Sequence, residues 1–123
     1  MAQKRSRCTL RAGDAGMMQY EEDLAVTVTS NADPVLIAAA GEMDAFTRSR
    51  LIRALARVLS RDVHGVIVDV SGLSFIDATS YAALVDLTRQ ARLDGRTVVF
   101  RSPSRAFLRA RELIDKDLEL EIE

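Results

Sequence analysis

Residues 66–84 read VIVDVSGLSFIDATSYAAL, and this stretch decides how the chain folds. Val66, Ile67, Val68 and Val70 form a short β-branched run, as a central strand covered on at least one face requires. The run leads into a turn holding an acid and two hydroxyls, Asp77, Thr79 and Ser80, directly before an amphipathic segment. Backbone N–H groups at a helix start lack intrahelical partners and the helix dipole is positive there, so a hydroxyl, carboxylate or phosphate is favoured at such a spot. Two readings of the junction stand open. Asp77 or Thr79 simply caps the helix, as Asp, Ser and Thr commonly do, or the hydroxyl is a switch that gains and loses phosphate.

Working outward, Leu24, Val26 and Val28 alternate with Ala25, Thr27 and Thr29, the pattern of a half-buried strand, and Asn-Ala-Asp-Pro at 31–34 is a turn. A second strand is expected over residues 35–40, closed by Gly41-Glu42-Met43-Asp44. Leu51, Ile52, Leu55, Val58 and Leu59 then fall on one stripe of a helix. Beyond the junction, Leu84, Leu87 and Ala91 share a helical face, and Asp94-Gly95 supplies a stop. Residues 97–101 form another strand. Ser102-Pro103-Ser104 opens a helix with Phe107, Ala110 and Ile114 inward, and residues 118–123 alternate as a last strand. The order is β-β-α-β-α-β-α-β, an α/β fold. Helical crossovers of this length imply a mostly parallel sheet flanked by helices, with the opening hairpin giving a mixed, antiparallel edge. Residues 24–123 form the domain. Residues 1–23 hold Lys4, Arg5, Arg7 and Arg11, then Gly13 and Gly16, then Glu21, Glu22 and Asp23, without a sustained apolar period, and are expected to be a flexible tail.

The chain's 123 residues, 48% of them hydrophobic, suit one domain that buries roughly two-thirds of its unfolded surface. A formal net charge of -1, from 17 Lys and Arg against 18 Asp and Glu, creates no field to gather nucleic acid or an anionic membrane. Arg89, Arg92, Arg105, Arg109 and Arg111 lie on helix faces without the interleaved aromatic rings that single-stranded nucleic acid prefers, and read as solvated charge. No apolar run approaches the roughly 20 residues that span a bilayer. The single cysteine, Cys8, and the lack of a targeting segment make a reducing cytoplasm the expected compartment. Catalytic sets are missing as well: His64 is the sole histidine and sits in a turn, no second His or Cys builds a zinc site, and Gly13 and Gly16 form no phosphate-cradling loop. Asp44, Asp69 and Asp77 lie near strand ends where magnesium is conceivable, yet capping and turn closure are their commoner work. No enzyme activity, cofactor or metal is expected.

Two segments together resemble a STAS domain, the module of anti-sigma factor antagonists and of sulphate-transporter tails. Gly41-Glu42-Met43-Asp44 is similar to the family's G-E-L-D, and residues 68–80, VDVSGLSFIDATS, are similar to its D-L-S-x-V-x-F-I-D-S-S-G. In that family the second hydroxyl of D-S-S-G is phosphorylated by a partner kinase that is also an anti-sigma factor. The resemblance therefore implies Thr79 as phosphoacceptor, with Ser80 as the alternative. Asp77 matches the motif's acid, Ala78 replaces its first Ser, and Ser80 replaces its Gly. It implies that Asp44 lies near the acceptor and orients the hydroxyl or the kinase's magnesium. The partner surface is expected along residues 77–84, including Asp77, Ala78, Ser80, Tyr81 and Leu84. The function implied is a cytoplasmic, monomeric or weakly dimeric regulator that binds an anti-sigma factor or serine-threonine kinase and is switched by phosphate. A STAS scaffold without phosphorylation, and a magnesium- or nucleotide-binding enzyme, are the alternatives.

Overall fold

Alternating aliphatic residues give this chain its strands, and the computed structural model describes residues 10–14, 16–18, 23–117 and 119–123. Strands β1 (Leu10–Asp14) and β2 (Gly16–Met18) pair antiparallel in a two-stranded sheet of their own, regular structure in a stretch that shows no apolar period. Of the remainder of the expected tail, Asp23 is described and the other residues, Cys8 included, lie outside the described residues. There follow β3 (Leu24–Ser30), β4 (Val35–Met43), α1 (Arg48–Leu59), β5 (Gly65–Ile76), α2 (Ala78–Leu93), β6 (Thr97–Arg101), α3 (Arg105–Ile114) and β7 (Glu121–Ile122). From β3 onward this is the order read from the sequence.

The main sheet runs β3-β4-β5-β6-β7; β3 is antiparallel to β4 and every later pair is parallel. Each parallel step moves the same way across the sheet, so right-handed crossovers stack all three helices on one face. Register then assembles the core in rows. Val35, Val66 and Val98 are paired neighbours, as are Ile37, Val68 and Phe100, and all six are buried. Their alternates Leu36, Ile67 and Val99 on the opposite face are only partly buried, which is the period-two consequence of pleating. Against the buried rows lie Leu51, Leu55 and Val58 of α1, Tyr81, Leu84 and Ala91 of α2, and Phe107 and Ala110 of α3. Ile52, Leu59, Leu87 and Ile114 from the expected stripes pack at the margin.

Two strand boundaries differ from expectation, and one difference creates the site. Gly41-Glu42-Met43 does not close β4 but continues it, and β5 runs on past Val70 to Ile76. The alternation breaks at Ser71-Gly72 because β5 carries extra residues, with register shifts between Ala38 and Ala40 and again between Gly41 and Glu42 of its neighbour; these are β-bulges, which bend and twist a strand without ending it. Glycine is needed on both sides. Gly41 has φ +117°, and a Cβ there would stand 2.2 Å from the Asp23 carbonyl oxygen; a Cβ on Gly72 would stand 2.7 Å from that of Ala40. The last strand is shorter than expected: within residues 119–123 only Glu121 and Ile122 pair, beside β6. Because Met43 and Ile76 are register partners, the carboxyl ends of β4 and β5 finish side by side and their outgoing loops meet. Crevices outside such ends are where open α/β sheets bind ligands.

Candidate functional site at the ends of β4 and β5

The site is built from two helix starts. On the β5 side, Asp77 is the N-cap of α2: its backbone is extended and its Oδ1 accepts from the Ser80 N–H at 2.8 Å. The Asp77 N–H donates to the Met43 carbonyl at 3.1 Å, which ties the helix start to β4. On the β4 side, Asp44 Oδ1 accepts from the N–H groups of Phe46 at 2.9 Å and Thr47 at 3.1 Å. The Thr47 hydroxyl donates to the Glu42 carbonyl at 2.7 Å and accepts from the Asp44 N–H at 3.0 Å. Arg48, the first residue of α1, is thereby held beside α2.

Thr79 is exposed on the outer side of the first turn of α2. Its Oγ1 accepts from Arg48 Nη1 at 2.7 Å and lies 3.4 Å from Asp77 Oδ1, to which it donates a long hydrogen bond. Among the described residues the side chains in contact with the Thr79 hydroxyl are those of Arg48 and Asp77, whereas the carboxylate bonds of Asp44 stay inside its own turn. Arg48 carries no signal in the sequence, where it is one arginine among many near a helix start; only the adjacency of β4 and β5 gives it a partner 31 residues away.

The expected contact stretch divides. Ala78 is exposed and Asp77 partly so, whereas Ser80, Tyr81 and Leu84 are completely buried. These three point toward the sheet because a helix turns about 100° per residue, so one face of residues 77–84 must go to the core. Tyr81 and Leu84 thus pack in the core rather than on the surface, and the Ser80 Oγ is buried with no hydrogen-bond partner among the described residues. The exposed apolar groups that do border the site come from elsewhere. Phe46 is 91% exposed in the loop before α1, Phe75 is 47% exposed at the end of β5, and Leu113 is 70% exposed on α3. Phe75, Ala78, Ala106, Ala110 and Leu113 line a groove of about 510 Å³ between β5 and α3, rimmed by Arg105 and Arg109. Its lining holds no carboxylate.

Charges read as solvated divide likewise. The His64 side chain is 99% exposed, and its Nδ1 lies 2.8 Å from Asp33 Oδ2. The hydrogen bonds from the His64 ring and backbone N–H hold the Asp33 carboxyl below its ordinary range. Arg89 forms ion pairs with Asp86 and Glu119, and Arg92 donates to the Glu119 carbonyl. Arg111 departs from expectation: it is partly buried, and its Nε has no hydrogen-bond partner among the described residues. Asp69, within β5, accepts from the Ser71 N–H at 2.9 Å, and that bond holds its carboxyl low. Among the described residues no three His, Cys, Asp or Glu side chains gather as a metal site, and no helix is long and apolar enough to cross a membrane.

Comparison with known proteins agrees with this architecture. The family model described as STAS domain matches residues 24–122. An anti-sigma factor antagonist from Mycobacterium paratuberculosis superimposes with a TM-score of 0.67 at 19% identity, covering 80% of this chain and 84% of that one. The anti-sigma factor antagonist SpoIIAA in its unphosphorylated form gives 0.63 at 14% identity, covering 81% and 87%. RsbS from Moorella thermoacetica, in a variant with a serine replaced by glutamate, gives 0.64 at 19% identity, covering 80% and 86%. Identities this low establish a shared fold. No curated protein matches the chain in sequence.

Proposed function

Because the chain belongs to the STAS domain family, we propose that it is a regulatory protein-binding module that captures an anti-sigma factor or serine-threonine kinase when Thr79 is free and releases it when Thr79 is phosphorylated. The observation that carries this reading is an exposed Thr79 hydroxyl engaged by a guanidinium and a carboxylate, one residue after the Ala78 that lines an apolar groove. That the solved neighbours include an anti-sigma factor antagonist described in its unphosphorylated form adds support. In the covalent step, Thr79 Oγ1 bonds to the γ-phosphorus of ATP as the bond to the β–γ bridging oxygen breaks. The hydroxyl proton passes to a base on the kinase, and ADP leaves.

Phosphate brings about -1.5 to -2 charge. At the start of α2 the helix dipole favours it by about 0.3–1 kcal/mol, so the fold survives. A partner carboxylate about 4 Å away is repelled by about 4 kcal/mol per unit charge pair at an effective dielectric of about 20. Since about 1.4 kcal/mol is tenfold in affinity, one phosphate suffices to abolish capture. The groove beside Ala78 gives the partner its apolar footing, and Arg105 and Arg109 favour an acidic segment there. Titration of the anti-sigma factor kinases of the same cell tests the reading. Thr79→Ala binds like the parent chain and Thr79→Glu does not; equal binding by both overturns it.

A further inference from the structure

The unphosphorylated site already holds a phosphate-binding group in place. Arg48 Nη1 donates to Thr79 Oγ1 at 2.7 Å, and among the described residues no ion pair engages the Arg48 guanidinium. A permanent cation is thus aimed at a neutral oxygen, a weaker acceptor than the anion it is shaped to grip. We infer that Arg48 is a phosphate clamp: on the phosphorylated chain its planar fork takes two phosphate oxygens and staples the start of α1 to the start of α2.

The inference rests on Thr79 being the acceptor, and three features of the site support it. Both helix starts are anchored independently of Thr79, α1 by the Arg48 N–H on the Asp44 carbonyl at 2.9 Å and α2 by the Asp77 N–H on the Met43 carbonyl at 3.1 Å. The phosphorus sits one bond beyond Oγ1, and the Arg48 side chain is only partly buried, so the guanidinium can follow the phosphate without moving either backbone. The third feature is the need for a counter-charge. Asp77 Oδ1, 3.4 Å from Thr79 Oγ1, is a like charge to the incoming dianion, and Arg48 is the cation in contact with the same oxygen. The clamp makes the released form a tightened state of the same fold rather than a loosened one.

Phosphothreonine installed at position 79 by genetic encoding tests this on the full chain without a kinase. In ³¹P NMR titration the second pKa of the phosphate, ordinarily about 6, falls by about one unit beside the guanidinium. Arg48→Ala returns it to the ordinary value and Arg48→Lys, with a single point charge, recovers part of the drop. The melting temperature rises on phosphorylation more in the parent chain than in Arg48→Ala, whose unphosphorylated form serves as the folding control and which keeps only the contribution of the helix dipole. A titration unchanged by Arg48→Ala overturns the clamp. The two proposals fail separately: an Arg48-independent titration leaves the effect of phosphate on partner capture intact, whereas capture indifferent to phosphate removes the switch while the Arg48-dependent titration stands.

Discussion

Adjacent hydroxyls in the first turn of α2 meet opposite fates. Thr79 is exposed between Arg48 and Asp77, while Ser80 is fully buried with an unpartnered Oγ, although its N–H satisfies the Asp77 cap. The sequence left the two open as acceptors because capping chemistry suits either, and a helix start alone does not say which side meets a sheet. Burial also bears on the Ser80-for-Gly departure from the family pattern, since an orphaned buried hydroxyl costs about 1–3 kcal/mol. Ser80→Ala is therefore expected to raise unfolding free energy by about 1 kcal/mol in urea titration. A clear loss of stability instead would show that Oγ has a partner.

At the scale of elements, the ends of α2, α3 and β7 are joined through one buried acid. Asp115, the C-cap of α3, accepts from the Tyr81 hydroxyl at 2.9 Å and from the N–H groups of Glu119 at 2.6 Å and Leu120 at 3.0 Å. Burial opposes its ionisation, yet the Glu119 and Leu120 N–H groups, the Tyr81 hydroxyl and nearby Arg111 outweigh that and hold the carboxyl below its ordinary 3.8. Burial, reinforced by Asp115, pushes the Tyr81 phenol far above its ordinary range, so it remains a donor at every physiological pH. A carboxyl depressed on folding contributes stability that is full above its unfolded pKa and lost as pH falls through the lower folded value. Unfolding free energy should thus fall below about pH 4, and Asp115→Asn should destabilise at pH 7 by about 1.5–3 kcal/mol and remove that part of the acid slope. Equal acid slopes in the two chains would contradict the assignment. None of this was legible beforehand: Tyr81 reads as a surface contact, and no local pattern marks Asp115. Likewise the bulges of β5 hid its last six residues behind a broken alternation, while the unbroken stripe of α1 was readable.

For the whole molecule, function is expected to reside on the surface where β4 and β5 end and α2 begins, together with the groove beside α3. Leu113, 70% exposed at the groove, faces solvent and carries no core packing. Leu113→Asp should leave melting unchanged while weakening partner capture tenfold or more, about 1.4 kcal/mol, because a charge would enter an apolar contact; unchanged affinity would move the interface elsewhere. The element order from Leu24, the parallel sheet and the position of Asp77 and Thr79 at a strand-to-helix junction were determined by the sequence alone, since periodicity, turn chemistry and crossover length are local properties of the chain. The tertiary structure decided which hydroxyl is reachable, that Arg48 meets Thr79 across 31 positions, and that Phe46, Phe75 and Leu113 remain uncovered. Those outcomes depend on strand register and on which helix face meets the sheet, and both are set by the packing of distant segments against one another.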